Sequence, residues 1–417
     1  MGKKKIFLGP HIALHRDEQL TIWIAKRFGE KVFPGVSGAE VIYLEAGMQM
    51  TIEVADINII PIGTGHRDFD EHTSDFSGTD RIPGECSATL MAKKLGIDKD
   101  PKLQELLQYV LLDDTRGVHS LLDLVDCHIA SIAQHEENPA KVTEIFEQIF
   151  DALYEHQEEL TKVQRDRVAD LIEKWLQERG EKDQRVIDPI VKFVRGLRNG
   201  NKKPFDLTKI FCALEKKFGP ETAETIAKEL LEAKYFVQRQ FFDAEKELHE
   251  KVQRGEAKVT PVVRGQIVLN VVVIQSDNPQ MSKVCRHPEY GYNAAIIIQK
   301  NSKGNGLIFT NNKFYVRDDM KRIVACVRLE ELSPVEHEVI DFFEEMSRAG
   351  SIKEVPIWYF QQEDNNGGGK LLNGSKSTGD VEPTKISLQE LGEIAVSVLK
   401  LGRNFQWDVW VDNQLFD

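Results

Sequence analysis

From Lys5 to Leu112, short apolar runs alternate with longer segments whose apolar residues recur at three-four spacing. That is the pattern of strands alternating with helices. Lys5–Gly9 reads as a strand, and Asp17–Phe28 as a helix that opens on an acidic residue and stops at Gly29. Glu40–Leu44 and Ile57–Ile62 read as two further strands, the second running into the Gly63-Thr64-Gly65 turn. Ser87–Leu95 and Lys102–Leu112 read as helices. From Asp126 to Gln253 the pattern is helical almost throughout. Glu155–Lys202 is so rich in Glu, Lys, Arg and Gln that it reads as a solvated helical insertion. Beyond Lys258 the pattern turns to strands, at Ile267–Ile274, Ala294–Gln299, Gly306–Phe309 and Ile323–Arg328. Asp364–Gly369 reads as a hairpin tip, and Ser387 caps a helix reaching Leu401. The fold class expected is α/β. A parallel or mixed sheet covered by helices occupies 1–125, a helical connector with a charged insertion 126–257, and an α+β domain 258–417.

Composition narrows the function classes. With 41% hydrophobic and 29% charged residues the chain is that of an ordinary globular protein. No apolar stretch is long enough to span a bilayer, and the run Ile6–Leu8 is too short for a signal-peptide core. A cytoplasmic protein without membrane contact is expected. Cys86, Cys127, Cys212, Cys285 and Cys326 are scattered and lack CxxC spacing, which argues against a disulfide framework and a cysteine zinc site. A net charge of -13 argues against a broad surface that tracks duplex phosphates. Nucleic-acid contact would have to be local or bridged by cations.

Three polar clusters fall at element ends. In the first, His11, His15 and Asp17 sit within seven residues of a loop leaving the first strand. Imidazole with carboxylate suits manganese, iron or zinc, whereas magnesium prefers oxygen alone. The second, Gly63 to His72, offers His66, Asp68, Asp70, Glu71 and His72 after an apolar strand. In the third, Asp113 and Asp114 stand at the negative end of a helix dipole, where acids lose stability unless a cation compensates.

The order of these motifs, with the Ala/Ser-bearing helix at Cys86–Leu95, resembles the DHH phosphoesterase superfamily, and within it the melanocyte-proliferating-gene branch. Phe241–Val252, Gly265–Leu269 and Tyr292–Gln299 resemble the same branch, so the likeness covers most of the chain outside the charged insertion. The resemblance implies a DHH-like N-terminal domain in which His11, His15 and Asp17 bind metal, together with Asp70 and His72. Glu71 stands where a histidine is expected. The fourth motif falls on Asp113 or Asp114. Pro61 replaces an Asp that bridges two metals in the family, which leaves one or two ions open. Leu371 to Ser375 resembles the family's substrate-gripping loop, with Asn373, Gly374 and Ser375 as donors. Arg16, Arg67 and Arg116 could bind phosphate, and His66 or His119 could donate a proton to the leaving oxygen.

The function expected is a metal-dependent phosphodiester hydrolase, an exonuclease on short single-stranded RNA or DNA. It would use a divalent ion, manganese first, with magnesium or zinc as alternatives. A small phosphorylated or dinucleotide substrate is the nearest alternative. A member that has lost catalysis and binds a nucleotide or a protein is the other. Homo-oligomerisation is compatible with either.

Overall fold

The computed structural model describes residues 5–12, 14–44, 57–64, 68–72, 81–201, 203–332, 343–363, 366–374 and 381–407. The architecture is mixed α/β, divided between two compact units, with described residues up to Arg239 in the first and from Gln240 onward in the second. Among the described residues no helix is long and apolar enough to cross a membrane.

The first unit is built on a small parallel sheet. Strand β1 (Lys5–Gly9) lies between β2 (Glu40–Val41) and β3 (Ile57–Pro61), both parallel to it. Pro61 closes β3 on an outer strand, a position that tolerates the missing N–H. Helix α1 (Arg16–Phe28) follows β1. Asp17 and Glu18 in its first turn and Lys26 and Arg27 in its last complement the helix dipole. It is buried over much of its circumference, through Leu20, Ile22, Trp23 and Ile24. Trp23 Nε1 donates to Asp151 Oδ1 at 2.9 Å. That bond fastens α1 to α5 (Pro139–Glu155). Helices α2 (Ser87–Leu95), α3 (Pro101–Arg116) and α4 (Leu124–Gln134) precede α5. Pro101 at the first position of α3 and Gly117 just past its end mark that helix's limits.

Helices α6 (Lys162–Arg179), α7 (Gln184–Arg198), α8 (Leu207–Phe218) and α9 (Pro220–Arg254) complete the helical run. The expected boundary near residue 125 does not divide the core. One hydrophobic cluster runs from Ile6 to Leu231 and includes Ile172, Trp175, Ile190, Val194 and Leu197. The charged stretch 155–202 is therefore a packed helical pair rather than a solvated insertion. Most of its sparse apolar residues turn inward, with Val163 exposed near the start of α6.

The second unit carries a six-stranded mixed sheet in the order β4-β5-β6-β7-β9-β8. Its strands are β4 (Lys258–Arg264), β5 (Ile267–Gln275), β6 (Ala294–Lys300), β7 (Gly306–Thr310), β8 (Tyr359–Gln362) and β9 (Gly369–Leu372). Only β5 and β6 pair in parallel. Short α10 (Met281–Arg286) lies between β5 and β6 in sequence, and the helix Leu388–Leu401 is capped by Ser387 as expected. Ile323–Arg328 is not a strand. It lies inside α11 (Arg317–Glu331), where every residue from Ile323 to Leu329 is buried. A helix buried all round loses its polar stripe, and its apolar run then imitates a core strand. Arg328 is the exception in chemistry. Its guanidinium donates to the carbonyls of Met346, Arg348, Gly350 and Trp358, fastening the segment beyond α11.

Trp175 tests the packed reading of the charged stretch. Its ring is buried and its Nε1 donates to Glu232 Oε1 at 3.0 Å. Trp175→Ala should cost about 3–5 kcal/mol in urea unfolding, as buried aromatic deletions do. A loss near zero would restore the solvated insertion.

Candidate functional site

The first two sequence clusters leave the same end of the parallel sheet, because β1 and β3 run side by side in one direction. Open α/β sheets place their sites at that carboxyl end. The loop after β1 carries His11 and His15 into α1, and His11 bridges to Leu44. The loop after β3 carries Gly63 to His72, and His72 bridges antiparallel to Arg81. Residues 113–119 end α3, and Ser87 opens α2.

Six carboxylates converge here, from Asp17, Glu18, Asp70, Glu71, Asp113 and Asp114, and two arginines answer them. Arg16 grips Asp113 Oδ2 with Nε at 2.6 Å and Nη2 at 2.5 Å. Arg81 Nη2 donates to Glu71 Oε1 at 3.1 Å and also to Asp114 Oδ2. His11 Nδ1 lies 2.5 Å from Glu18 Oε1, while Glu18 Oε2 accepts the His15 N–H at 2.7 Å. Asp17 Oδ2 accepts from the Ser87 hydroxyl at 2.6 Å and its N–H at 3.2 Å. Gly63 makes room for this packing. Its φ of +63° favours glycine, and a Cβ there would strike the Glu18 carboxylate.

Burial and charge then set the protonation. Asp17 is pushed up to about 6, first by burial and next by the charges of Asp114 and Glu18. Glu71 is pushed up to about 7 by burial and by Asp17. Burial would raise Glu18 as well, but His11 and His15 outweigh it and hold that carboxyl below its ordinary range. Burial opposes charge on His11, yet the Glu18 carboxylate and its hydrogen bond raise that imidazole. The bond to Asp70 is the first cause that raises His72.

Two groups of side chains have donor atoms that lie within 4.8 Å of one another, His15 with Asp17 and Asp114, and Asp70 with Glu71 and His72. Both include an acid with an orphaned oxygen. Asp17 Oδ1 and Glu71 Oε2 are buried and have no hydrogen-bond partner among the described residues. Buried carboxylate oxygens without donors call for a cation. Nitrogen and oxygen donors together fit manganese, iron or zinc better than magnesium. His11 lies beside the first group, its ring 5.8 Å from that of His15. Its Nδ1 is held against Glu18, and His11 itself belongs to neither group.

The two acids at the end of α3 take different partners. Asp114 joins the His15 and Asp17 group, whereas Asp113 is committed elsewhere, its Oδ2 to Arg16 and its Oδ1 to His119 Nδ1 at 2.9 Å. Asp113 falls in neither donor group, and Arg16 is its ion-pair partner. Arg116 is exposed at the end of α3. His66, Arg67 and Ser375 lie outside the described residues.

Asn373 and Gly374 belong to the second unit. The Asn373 amide is fully buried. Its oxygen accepts from the N–H of Thr384 and of Gly306, and its nitrogen donates to the carbonyls of Glu382 and Ile357. That side chain stitches backbone together and has no donor left for a phosphate. The adjacent aromatics Trp358 and Phe360 are core residues. Sequence reasoning missed Arg81, which sits in no motif, gave Ser87 no role beyond its place in the Cys86–Leu95 helix, and took Glu18 only as part of a string. The signal for Glu18 was its spacing from His15, which makes it the third residue of the helix that His15 caps.

Comparisons of the chain with protein-family models, with curated proteins and with solved structures give no match.

The acid pair makes a pH prediction for the metal-free protein. Asp17 and Glu71 hold protons more tightly folded than unfolded, so their contribution to stability is present at low pH. It falls as pH climbs from about 4 to about 7, through the ordinary carboxyl values toward the raised folded ones. Asp17→Asn should flatten that fall when urea midpoints are compared with the parent across this range. An equally steep fall in the variant would show that Asp17 is not strained by its neighbours.

Proposed function

We propose that the chain is a divalent-metal-dependent phosphodiester hydrolase of the DHH phosphoesterase kind, acting as an exonuclease on short single-stranded RNA or DNA. The observation that carries this reading is the pair of buried carboxylate oxygens, Asp17 Oδ1 and Glu71 Oε2, without a partner among the described residues, within a nest of six acids and four histidines. Such a nest is costly to keep dry unless a cation completes it.

His15, Asp17 and Asp114 would hold the ion, with His11 beside them. Manganese is the first choice for these donors. When bound, a divalent ion supplies Lewis acidity toward phosphoryl oxygens and makes a neighbouring water acidic enough to attack at neutral pH. Glu71, raised to about 7, is basic enough to take the proton that an attacking water gives up near neutrality. His119 is the proton donor to the leaving oxygen. Asp113 holds its Nδ1 and Arg16 holds Asp113, so Nε2 points away from the protein support. This is the orienting logic of a carboxylate behind a catalytic imidazole. Fixing these groups before substrate arrives removes the reorganisation that solvent would demand.

A second reading, a member that binds a nucleotide without cleaving it, is favoured by Pro61, which ends β3 with no side-chain oxygen for a second ion.

End-labelled oligonucleotides and dinucleotides, offered with manganese, magnesium or zinc, separate the two. Asp17→Ala should lower turnover by more than the roughly 10–100-fold that losing an outer partner of a metal site costs, and His72→Ala, beside the ion-holding group, by about that much. Tight nucleotide binding without turnover would favour the second reading. Activity unaffected in both variants would remove the site from the reaction. The role of His119 has its own measurement. His119→Ala should slow cleavage of a nucleotide linkage by about 10²–10⁴-fold. It should spare a p-nitrophenyl ester, whose phenolate leaves without a proton. Equal losses on both substrates would leave His119 a structural role only.

A further inference from the structure

We propose that Arg81 occupies the place of a second cation, so that the site takes one divalent ion and completes its charge with a built-in guanidinium. The inference rests on the cation-binding part of the reading above and not on hydrolysis.

The two donor groups are separate in sequence but share one neighbour. A single nitrogen, Arg81 Nη2, bonds Glu71 Oε1 of one group and Asp114 Oδ2 of the other. Its companion Nη1 reaches the Asp114 carbonyl at 3.3 Å. The guanidinium therefore stands between the two groups, where an ion shared by them would have to bridge. Its backbone is fixed beside one group, because Arg81 forms an isolated antiparallel bridge with His72. Its side chain is about a quarter exposed, whereas that of Glu71 is almost wholly buried.

Charge and geometry divide the work. A guanidinium is planar and permanently charged, and it satisfies two carboxylates at once. It brings one positive charge and no vacant coordination position. On the other side, Asp17 Oδ1 remains orphaned at a residue that is 2% exposed, and Arg81 makes no bond to it. The His15, Asp17 and Asp114 group thus keeps an unmet demand for a cation, and the Asp70, Glu71 and His72 group has its demand met in part by protein. Glu71 Oε2, also orphaned, is left as a base beside the guanidinium rather than as a ligand.

The test is manganese binding alone, on the full-length chain freed of metal. Manganese per chain is counted by elemental analysis after equilibrium dialysis, and electron paramagnetic resonance reports whether bound ions are isolated or exchange-coupled. We expect one uncoupled ion per parent chain. Two coupled ions would overturn this inference and leave the cation site standing. No bound ion would overturn both. Arg81→Gln, checked for folding by circular dichroism, should raise the count from one to two, since Glu71 and Asp114 then lose their shared counter-charge. Arg81→Lys, which keeps the charge, should stay at one. A count that stays at one in Arg81→Gln, or reaches two in Arg81→Lys, would show that the arginine's charge is not what excludes the second ion. Should Arg81→Gln fail to fold, the parent's spectrum and the lysine variant decide the matter.

Discussion

Burial of carboxylates at the mouth of a three-stranded sheet is the constraint on which the first unit depends. Charges removed from water must find counter-charge or hydrogen-bond donors, and partial satisfaction is worse than none. The protein answers with two arginines, four histidines and the opening residue of α2. Arg16 and Arg81 bring distant stretches of chain to the sheet, α1 to the end of α3 and residue 81 to both the β3 loop and α3. The fold of this region and its chemistry are therefore one arrangement.

Helix α1 is the hinge of that arrangement in both senses. Its first turn presents His15, Asp17 and Glu18 to the nest, and its next two turns supply Leu20, Ile22, Trp23 and Ile24 to the largest hydrophobic cluster. A helix that serves both the acidic cluster and the core cannot shift without disturbing packing near crystalline density. Rigidity of this kind suits a site that works by positioning. The helices of the charged stretch support it from behind, through α8 and α5, and so belong to the same cooperative body.

Much of this was legible in the residues. Lys5–Gly9, Ser87–Leu95 and the Ser387 cap follow from short-range rules that the structure obeys. The clustering of His15, Asp17, Asp70 and His72 was legible too, since strand exits collect polar residues. What escaped has physical reasons. Ile323–Arg328 reads as a strand because complete burial erases helical periodicity. Asn373 reads as a ligand-gripping donor because a turn sequence does not reveal that its amide faces inward. The different partners of Asp113 and Asp114 depend on which way each points around a helix end, which sequence spacing does not show. Arg81 could not be found at all, because a lone arginine in a polar stretch carries no spacing to distinguish it.

Gly63 shows how far such crowding reaches. Its hydrogen lies against the carboxylate that steadies both His11 and His15, and its backbone adopts a left-handed turn. Every other amino acid carries a β-carbon, so each single-base change that replaces this glycine pushes an atom into Glu18. Only synonymous codons leave position 63 undisturbed. Amino-acid replacement is opposed there by geometry, even though the residue has no side chain with which to take part in any reaction.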